Sequence, residues 1–301
     1  MKIIFMGTPD FAIPSLRILV EGRHDVLAVV TAPDKQRGRG QKISSTPVKK
    51  FAVENNLPVL QPEKLKNNPK FVEDLKKYDA DLYVVVAFKI LPPDVFEIPK
   101  YGSFNLHGSY LPKYRGAAPI QWALINGETE TGLTTFKLAE KVDTGNIYLQ
   151  EEVQIKPDDN FETLHDKLSE LGAEIVLQTV NLIEEGNFEL KRQDDSLATP
   201  APKITKEISK IDWNKSASEI HNLIRGLSPI PGAHFIHKEK NIKVYRSQVV
   251  ERNDLAPGEF LQTKKELQIG CGENALCILE LQQEGKKRMG IEEFLRGFSF
   301  V

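Results

Sequence analysis

The stretch FNLHGSYLPKYRGAAPIQWA, residues 104–123, changes character within a few residues. A short apolar run ends in Asn105 and His107, and prolines and glycines then interrupt any regular pattern. Residues two apart in an extended chain point to the same side, so this amide and this imidazole can converge on one atom. Such a pair can stabilise a developing oxyanion and move a proton near neutral pH. An N-x-H pair alone is more often structural, but the irregular loop that follows favours a functional strand end.

Short apolar runs alternate with helical patterns through the first half of the chain. The runs are KIIFMG (2–7), HDVLAVVTA (24–32), DLYVVVAF (81–88) and YGSFNLHG (101–108). Runs that are apolar on both faces are typical of parallel strands covered by helices. Two further strands are expected between residues 132 and 155, and a long helix over 161–185. We therefore expect an α/β fold with a Rossmann-like, mostly parallel sheet and helices on both faces.

The chain changes character after residue 188. The stretch DDSLATPAPKITKE (194–207) is polar and interrupted by prolines, which is typical of a linker. SASEIHNLIRGLS (216–228) predicts one helix, and short alternating segments separated by turns follow it. Such segments are typical of a small barrel. The predicted organisation is a catalytic domain at 1–190, a linker at 191–207, and an OB-like β-barrel domain at 208–301.

Composition and missing motifs narrow the range of functions. The 301 residues carry a formal net charge of −2, so overall charge does not point to a nucleic-acid partner. The apolar runs are too short to span a membrane, and no signal peptide is recognisable. The first turn reads GTPDFA, which lacks the glycines of a dinucleotide-binding loop. No P-loop or metal-ligand spacing occurs either, so we expect a cytoplasmic enzyme or binding protein without a metal.

A candidate acidic residue lies in KVDTGN (141–146), which places Asp143 in a tight turn between two expected strands. D-T-G alone is more often a plain turn. Taken together with NLHGSYLPKYRGAAPIQWA, however, VDTGNI resembles the formyltransferase family that uses 10-formyltetrahydrofolate. The stretches MGTPDFA, PDKQRGRGQK, KITKEISKIDW and IRGLSPIPGAHF extend this resemblance over nearly the whole chain.

The resemblance implies a site and a reaction. Asn105, His107 and Asp143 would form the catalytic trio. The folate co-substrate would lie along Ser109, Tyr110, Leu111, Pro112, Phe88 and Ile90. The implied reaction is acyl transfer from the folate N10 to the α-amine of methionine esterified to initiator tRNA, without a metal. The second domain would then contact the tRNA.

The loop PDKQRGRGQKISSTPVKK (33–50) bears on the identity of the acceptor. It contains several lysines and arginines, and no acidic residue occurs between Lys35 and Val53. Such a loop can order against RNA phosphates, although an isolated basic run is more often a solvated loop. The run is similar to the tRNA-binding loop of family members that act on tRNA. The expected tRNA contacts are Arg37, Arg39 and Lys42.

Three other interpretations stay open at this point. A formyltransferase for a small amine, such as a nucleotide sugar, fits the trio but not the basic loop. A non-catalytic folate- or RNA-binding protein would not need the trio, and a nicotinamide oxidoreductase would need the missing glycines. No obligate protein partner or membrane segment is evident, and we expect a monomer.

Overall fold

The computed structural model describes residues 1–37 and 42–300, and only the backbone at residues 36, 37, 42 and 43. The chain divides into two compact units whose segments interleave along the sequence. The first unit comprises Met1–Gly116, Gly132–Val153 and His165–Pro200. The second comprises Ala117–Thr131, Gln154–Leu164 and Ala201–Val301. The linear division into 1–190, 191–207 and 208–301 stays a prediction.

A seven-stranded sheet forms the centre of the first unit. The strands up to residue 201 are β1 (Lys2–Gly7), β2 (Asp25–Val30), β3 (Lys35–Arg37), β4 (Lys42–Ser44), β5 (Val59–Leu60), β6 (Leu82–Val86), β7 (Ser103–His107), β8 (Arg115–Gly116), β9 (Glu130–Lys137), β10 (Ile147–Gln154) and β11 (Pro200–Ala201). The central sheet has the order β10-β9-β7-β6-β1-β2-β5. Its pairs β1–β2, β1–β6, β2–β5 and β6–β7 are parallel, and β9 runs antiparallel to β7. The prediction of a mostly parallel sheet is confirmed.

Helices cover both faces of this sheet. The helices in the same part of the chain are α1 (Ile13–Glu21), α2 (Pro47–Glu54), α3 (Pro69–Lys76), α4 (Pro93–Phe96), α5 (Pro119–Ile125) and α6 (Phe161–Glu185). On one face, Phe71 of α3 and Phe96 of α4 join a core cluster with Tyr83 and other sheet residues. On the opposite face α6 packs against β7, where Gly172 leaves room for the side chain of Leu106. The two covered faces explain why the central strands are apolar on both sides.

Local sequence signals set the helix boundaries. The Thr46 hydroxyl accepts a hydrogen bond from Lys49 N at 3.0 Å and caps α2. In the second unit, Ser216 and Glu219 form a reciprocal capping box at the start of α7 (Ala217–Leu227). Each cap satisfies backbone N–H groups that the first helical turn leaves without partners. The helix α7 therefore begins where the sequence predicts.

The second unit contains a curled antiparallel sheet. Its strands are β12 (Ala233–His237), β13 (Lys240–Val250), β14 (Phe260–Gln262), β15 (Leu267–Gly270), β16 (Ala275–Gln283) and β17 (Met289–Gly290), and the last helix is α8 (Ile291–Leu295). The order is β12-β13-β16-β15-β14, with β17 paired to β16. Ile220 and Ile224 of α7 pack into the core that this half-barrel encloses. In the part of the chain that the structure describes, no helix is long and apolar enough to cross a membrane.

Gly7 ends β1 in surroundings that exclude a side chain. An added Cβ would lie 2.8 Å from Ala12 Cβ and 3.0 Å from Val86 O, so neighbouring backbone would have to move. We expect Gly7→Ala to lower the free energy of unfolding by ~1–3 kcal/mol, as overpacking typically does, in equilibrium denaturation with urea.

The control is Gly290→Ala, since nothing lies within 4 Å of a Cβ built at Gly290. Its effect should stay within ~0.5 kcal/mol, the usual range for surface changes. Equal stability of the two variants would contradict the close approach at the end of β1.

Candidate active site

Asn105 and His107 lie on one face at the carboxyl end of β7. In the antiparallel ladder with β9, Asn105 is opposite Phe136 and His107 is opposite Thr134. Directly opposed residues share a face of the sheet. The His107 side chain is buried and Asn105 is half-buried. Across the described residues, no hydrogen-bond partner is found for the Asn105 amide, so it can bind a ligand.

One hydrogen bond sets the protonation pattern of His107. Its Nε2 lies 2.9 Å from the backbone oxygen of Tyr114. A carbonyl oxygen can only accept, so neutral His107 carries its proton on Nε2. Nδ1 then holds a lone pair and can receive a proton. The ring is also held edge-on against Phe136, with the two centroids 6.4 Å apart.

Asp143 faces the free nitrogen of this imidazole. It lies in the turn between β9 and β10 with a left-handed backbone (φ 55°). Its Oδ2 accepts a hydrogen bond from Gly116 N at 2.9 Å and lies 3.8 Å from His107 Nδ1. The distance between Nδ1 and Oδ2 is longer than that of a hydrogen bond. At this distance the carboxylate can still stabilise a protonated imidazole by charge attraction. The structure therefore brings the three predicted catalytic residues into one sheet end and its adjoining turn.

The loop after His107 is fastened to β9 by a buried threonine that sequence reasoning missed. The Thr134 hydroxyl donates to Ser109 O at 2.8 Å and accepts from Leu111 N at 3.0 Å. Gln150 Nε2 donates to Leu111 O at 2.7 Å. These bonds fix the backbone of residues 109–111. No local feature of the sequence of β9, ETGLTTFK, distinguishes Thr134 from its neighbouring threonines.

The residues predicted to contact folate differ in their accessibility. Tyr110 is 41% exposed and Ile90 is 72% exposed, so both side chains are open to a ligand. Leu111 is buried against Phe136 and Ile147, and the Ser109 hydroxyl donates to Lys113 O. A ligand along residues 109–111 would therefore meet mainly the Tyr110 side chain and the backbone. The two remaining positions, Phe88 and Pro112, are half-buried.

Two of the three residues predicted to contact tRNA lie on a pair of antiparallel strands, β3 and β4. Arg37 ends β3 and pairs with Lys42, which begins β4. Arg39 lies outside the described residues. Lys49, one of the cations in the predicted basic loop, forms an ion pair with Asp34. This bond, helped by Gln61, holds the pKa of the Asp34 carboxyl below its usual range.

A second missed residue holds the Asp143 turn itself. Gln193, in the stretch predicted as a linker, donates from Nε2 to the carbonyl oxygens of Asp143 and Gly145. Gly145 has no room for a side chain, since a Cβ there would overlap the backbone oxygen of Lys137. No cluster of three or more His, Cys, Asp or Glu side chains that could hold a metal ion occurs within residues 1–37 and 42–300.

Comparisons with protein families match both parts of the chain. The family described as "Formyl transferase" matches residues 1–180, and "Formyl transferase, C-terminal domain" matches residues 203–299. A methionyl-tRNA formyltransferase of Caldanaerobacter subterraneus subsp. tengcongensis is 52% identical over 299 residues, covering 99% of this chain and 97% of that protein. One from Geobacter sulfurreducens is 46% identical over 300 residues, covering 99% and 94%.

Solved structures share the fold at lower identity. A sugar 3N-formyl transferase crystallised with dTDP and 5-N-formyl-THF superposes with a TM-score of 0.71 at 22% identity. The match covers 95% of this chain and 99% of that one. An N-formyltransferase from Helicobacter canadensis gives a TM-score of 0.68 at 21% identity, covering 92% and 98%. These likenesses extend over both units of the fold.

Thr134→Val should loosen the loop that follows His107. The change keeps the shape of the side chain but removes the hydroxyl that bonds Ser109 O and Leu111 N. We expect hydrogen exchange at the Leu111 amide to accelerate by about tenfold or more, because a lost hydrogen bond of ~1.4 kcal/mol gives that factor.

Thr135→Val is the matched control on the same strand. Its hydroxyl bonds Thr179 of α6 and Leu149 N, on the opposite face of the sheet. The free energy of unfolding of this variant should fall about as much as that of Thr134→Val. Hydrogen exchange at the Leu111 amide should stay unchanged. Equal protection of Leu111 in the Thr134→Val variant and the wild type would refute the anchoring role.

Proposed function

The chain belongs to the formyl transferase family, and from this premise we propose that it transfers the formyl group of 10-formyltetrahydrofolate to the α-amino group of methionyl-tRNA. The product would be N-formylmethionyl-tRNA for translation initiation. The observation that carries the proposal is the site at the end of β7. There the Asn105 amide lies on the same strand face as His107, and the Asp143 carboxylate faces His107 Nδ1, within a chain 52% identical to a methionyl-tRNA formyltransferase.

His107 is the proposed proton acceptor. The α-amine attacks the formyl carbon only when neutral, and a pKa near ~7.7–8 leaves part of it neutral at pH 7. As the new bond between nitrogen and carbon forms, the amine must lose a proton. Nδ1 of His107 carries the available lone pair because Nε2 is committed to Tyr114 O. Asp143, with Oδ2 at 3.8 Å, stabilises the positive charge that the imidazole acquires.

Asn105 is the proposed donor to the formyl oxygen. Negative charge develops on that oxygen during attack, and a preorganised amide stabilises it without reorganisation. The amide is half-buried and shares the face of His107, so it can reach the same substrate group. The folate supplies the formyl carbon. The transfer is completed when the carbonyl re-forms, the bond between that carbon and N10 breaks, and the proton that His107 accepted passes to N10. Tyr110 and Ile90 offer exposed side chains on which the folate can lie.

The basic loop is the proposed contact for the tRNA acceptor. Asp34, the only acidic residue of the sequence stretch 33–50, forms an ion pair with Lys49. The C-terminal domain, 208–301, would add contacts through exposed cations along β13, such as Lys240 and Arg246. The proposed form is a monomer in the cytoplasm, where charged tRNA and translation initiation are found.

The proposed function is tested with purified protein, 10-formyltetrahydrofolate and methionine-charged initiator tRNA, scored for formylated amine. Elongator methionyl-tRNA, free methionine and an amino sugar nucleotide run beside it. Formylation of the initiator tRNA alone supports the proposal. Consumption of the folate only with another amine or with water would overturn the acceptor, and no consumption at all would overturn the reaction.

Substitution of each residue of the trio tests its proposed role in the reaction. We expect Asn105→Ala, His107→Ala and Asp143→Asn each to lower kcat by ~10²–10³-fold, the usual cost of removing a transition-state contact. Circular dichroism and urea unfolding should show that the fold persists. Asp158→Asn is the matched control, since Asp158 is exposed and lies apart from the trio in sequence. A variant of the trio with nearly normal turnover would remove that residue from the catalytic set.

Substitution of cations in the basic loop tests its proposed contact with tRNA. Replacing Arg39 and Lys42 by alanine should raise KM for methionyl-tRNA and flatten its dependence on salt, because each lost phosphate contact lowers the slope by about one. KM for the folate should stay the same. The control replaces Lys64 and Lys66, two exposed lysines elsewhere in the chain. Unchanged tRNA kinetics at every salt concentration would contradict the role of the loop.

A further inference from the structure

Gln193 is a buried amide that lies outside the predicted trio and contacts its supporting backbone. The residue is 6% exposed and follows the long helix α6 by eight residues. Its Nε2 donates to Asp143 O at 2.9 Å and to Gly145 O at 2.8 Å. The amide therefore donates both of its hydrogens to the two carbonyls that flank Thr144. The left-handed turn that presents Asp143 is held from its backbone side by one side chain.

The other end of the same amide is bound to the segment that supports His107. Gln193 Oε1 accepts from Arg115 Nε at 3.0 Å and from Arg115 Nη2 at 2.7 Å. Arg115 lies between Tyr114, whose carbonyl accepts from His107, and Gly116, whose N–H donates to Asp143 Oδ2. Gln193 thus joins the turn that carries Asp143 to the segment that orients His107.

Only an amide of this length satisfies both ends. The two carbonyls require donors, and the guanidinium requires an acceptor. A carboxylate would keep the bond to Arg115. Its second oxygen, however, would face the backbone carbonyl oxygens of Asp143 and Gly145, and the like partial charges would repel each other. A lysine or arginine would face Arg115 with a second positive charge. Asparagine is one methylene shorter and would not span the two segments.

We propose that Gln193 is a positioning residue for formyl transfer, which fixes the Asp143 carboxylate relative to His107 Nδ1. This inference rests on the proposed function of the same site. It acts through Asp143, since Gln193 bonds the backbone of that residue and its amide groups are fully used within the protein. Displacement of a catalytic group by about 1 Å can cost ~10²-fold in rate, so loss of this amide should lower turnover.

The test uses Gln193→Glu, which keeps the volume and the Arg115 contact but removes both amide donors. We expect kcat for methionyl-tRNA to fall by ~10–10²-fold, while KM for tRNA and for folate changes by less than about threefold. Gln178→Glu makes the same chemical change on an exposed surface of α6 and should be silent. If Gln193→Glu does not fold, Gln193→Met removes the donors without adding charge and carries the same expectation.

A double-mutant cycle separates positioning from general weakening of the fold. If Gln193 acts through Asp143, Gln193→Glu should cost little more in a protein that already carries Asp143→Asn. Full multiplication of the two losses, or a raised KM for folate with unchanged kcat, would overturn the inference. Failure of the wild type itself to formylate methionyl-tRNA would instead overturn the proposed function, so the two failures are distinguishable.

Discussion

The hydrogen bond from His107 Nε2 to the Tyr114 carbonyl is the interaction on which the site depends. It fixes both the orientation of the ring and the position of its proton. Tyr114 can offer that carbonyl because its backbone is left-handed (φ 63°) and its N–H is held by Thr199 Oγ1 at 2.9 Å. Because one nitrogen is committed to the protein, the other is left for the substrate. The need to bring the Tyr114 carbonyl to His107 Nε2 explains why an irregular loop follows β7.

The topology then brings the carboxylate to the free nitrogen. β9 runs antiparallel to β7 and ends at Lys137, level with Phe104. The connection to β10 passes over Phe136, where Gly145 makes its close approach, and returns Asp143 to His107. A parallel neighbour would not place such a turn here. The switch from parallel to antiparallel pairing at β7 is therefore part of the chemistry as well as of the fold.

Sequence patterns predicted the parts of the structure that have local causes. The helix that Ser216 caps was predicted because capping needs only residues within one turn, and the apolar strands reflect burial on two faces. The spacing of Asn105 and His107 follows from the period of a strand. Local signals also explain why Asp143 was expected in a turn.

The missed features depend on contacts between distant parts of the chain. Gln193 lies 50 residues from Asp143 and in a polar, proline-rich stretch that resembles a linker. Thr134 lies 23 residues from Leu111, and the sequence around it does not mark its hydroxyl as an anchor. Lys49 was counted among the cations of the basic loop, but its partner Asp34 lies 15 residues earlier. Side chains that bond distant backbone leave no periodic pattern.

The most direct test of the account is the tautomer of His107 in its neutral form. Nitrogen-15 NMR of protein labelled at its six histidines, with His107 assigned by the loss of its signal in His107→Ala, reports which ring nitrogen carries the proton. The account predicts a protonated Nε2 and an unprotonated Nδ1. A proton on Nδ1 would leave no lone pair facing Asp143 and the substrate, and it would contradict the proposed role of His107 as the base.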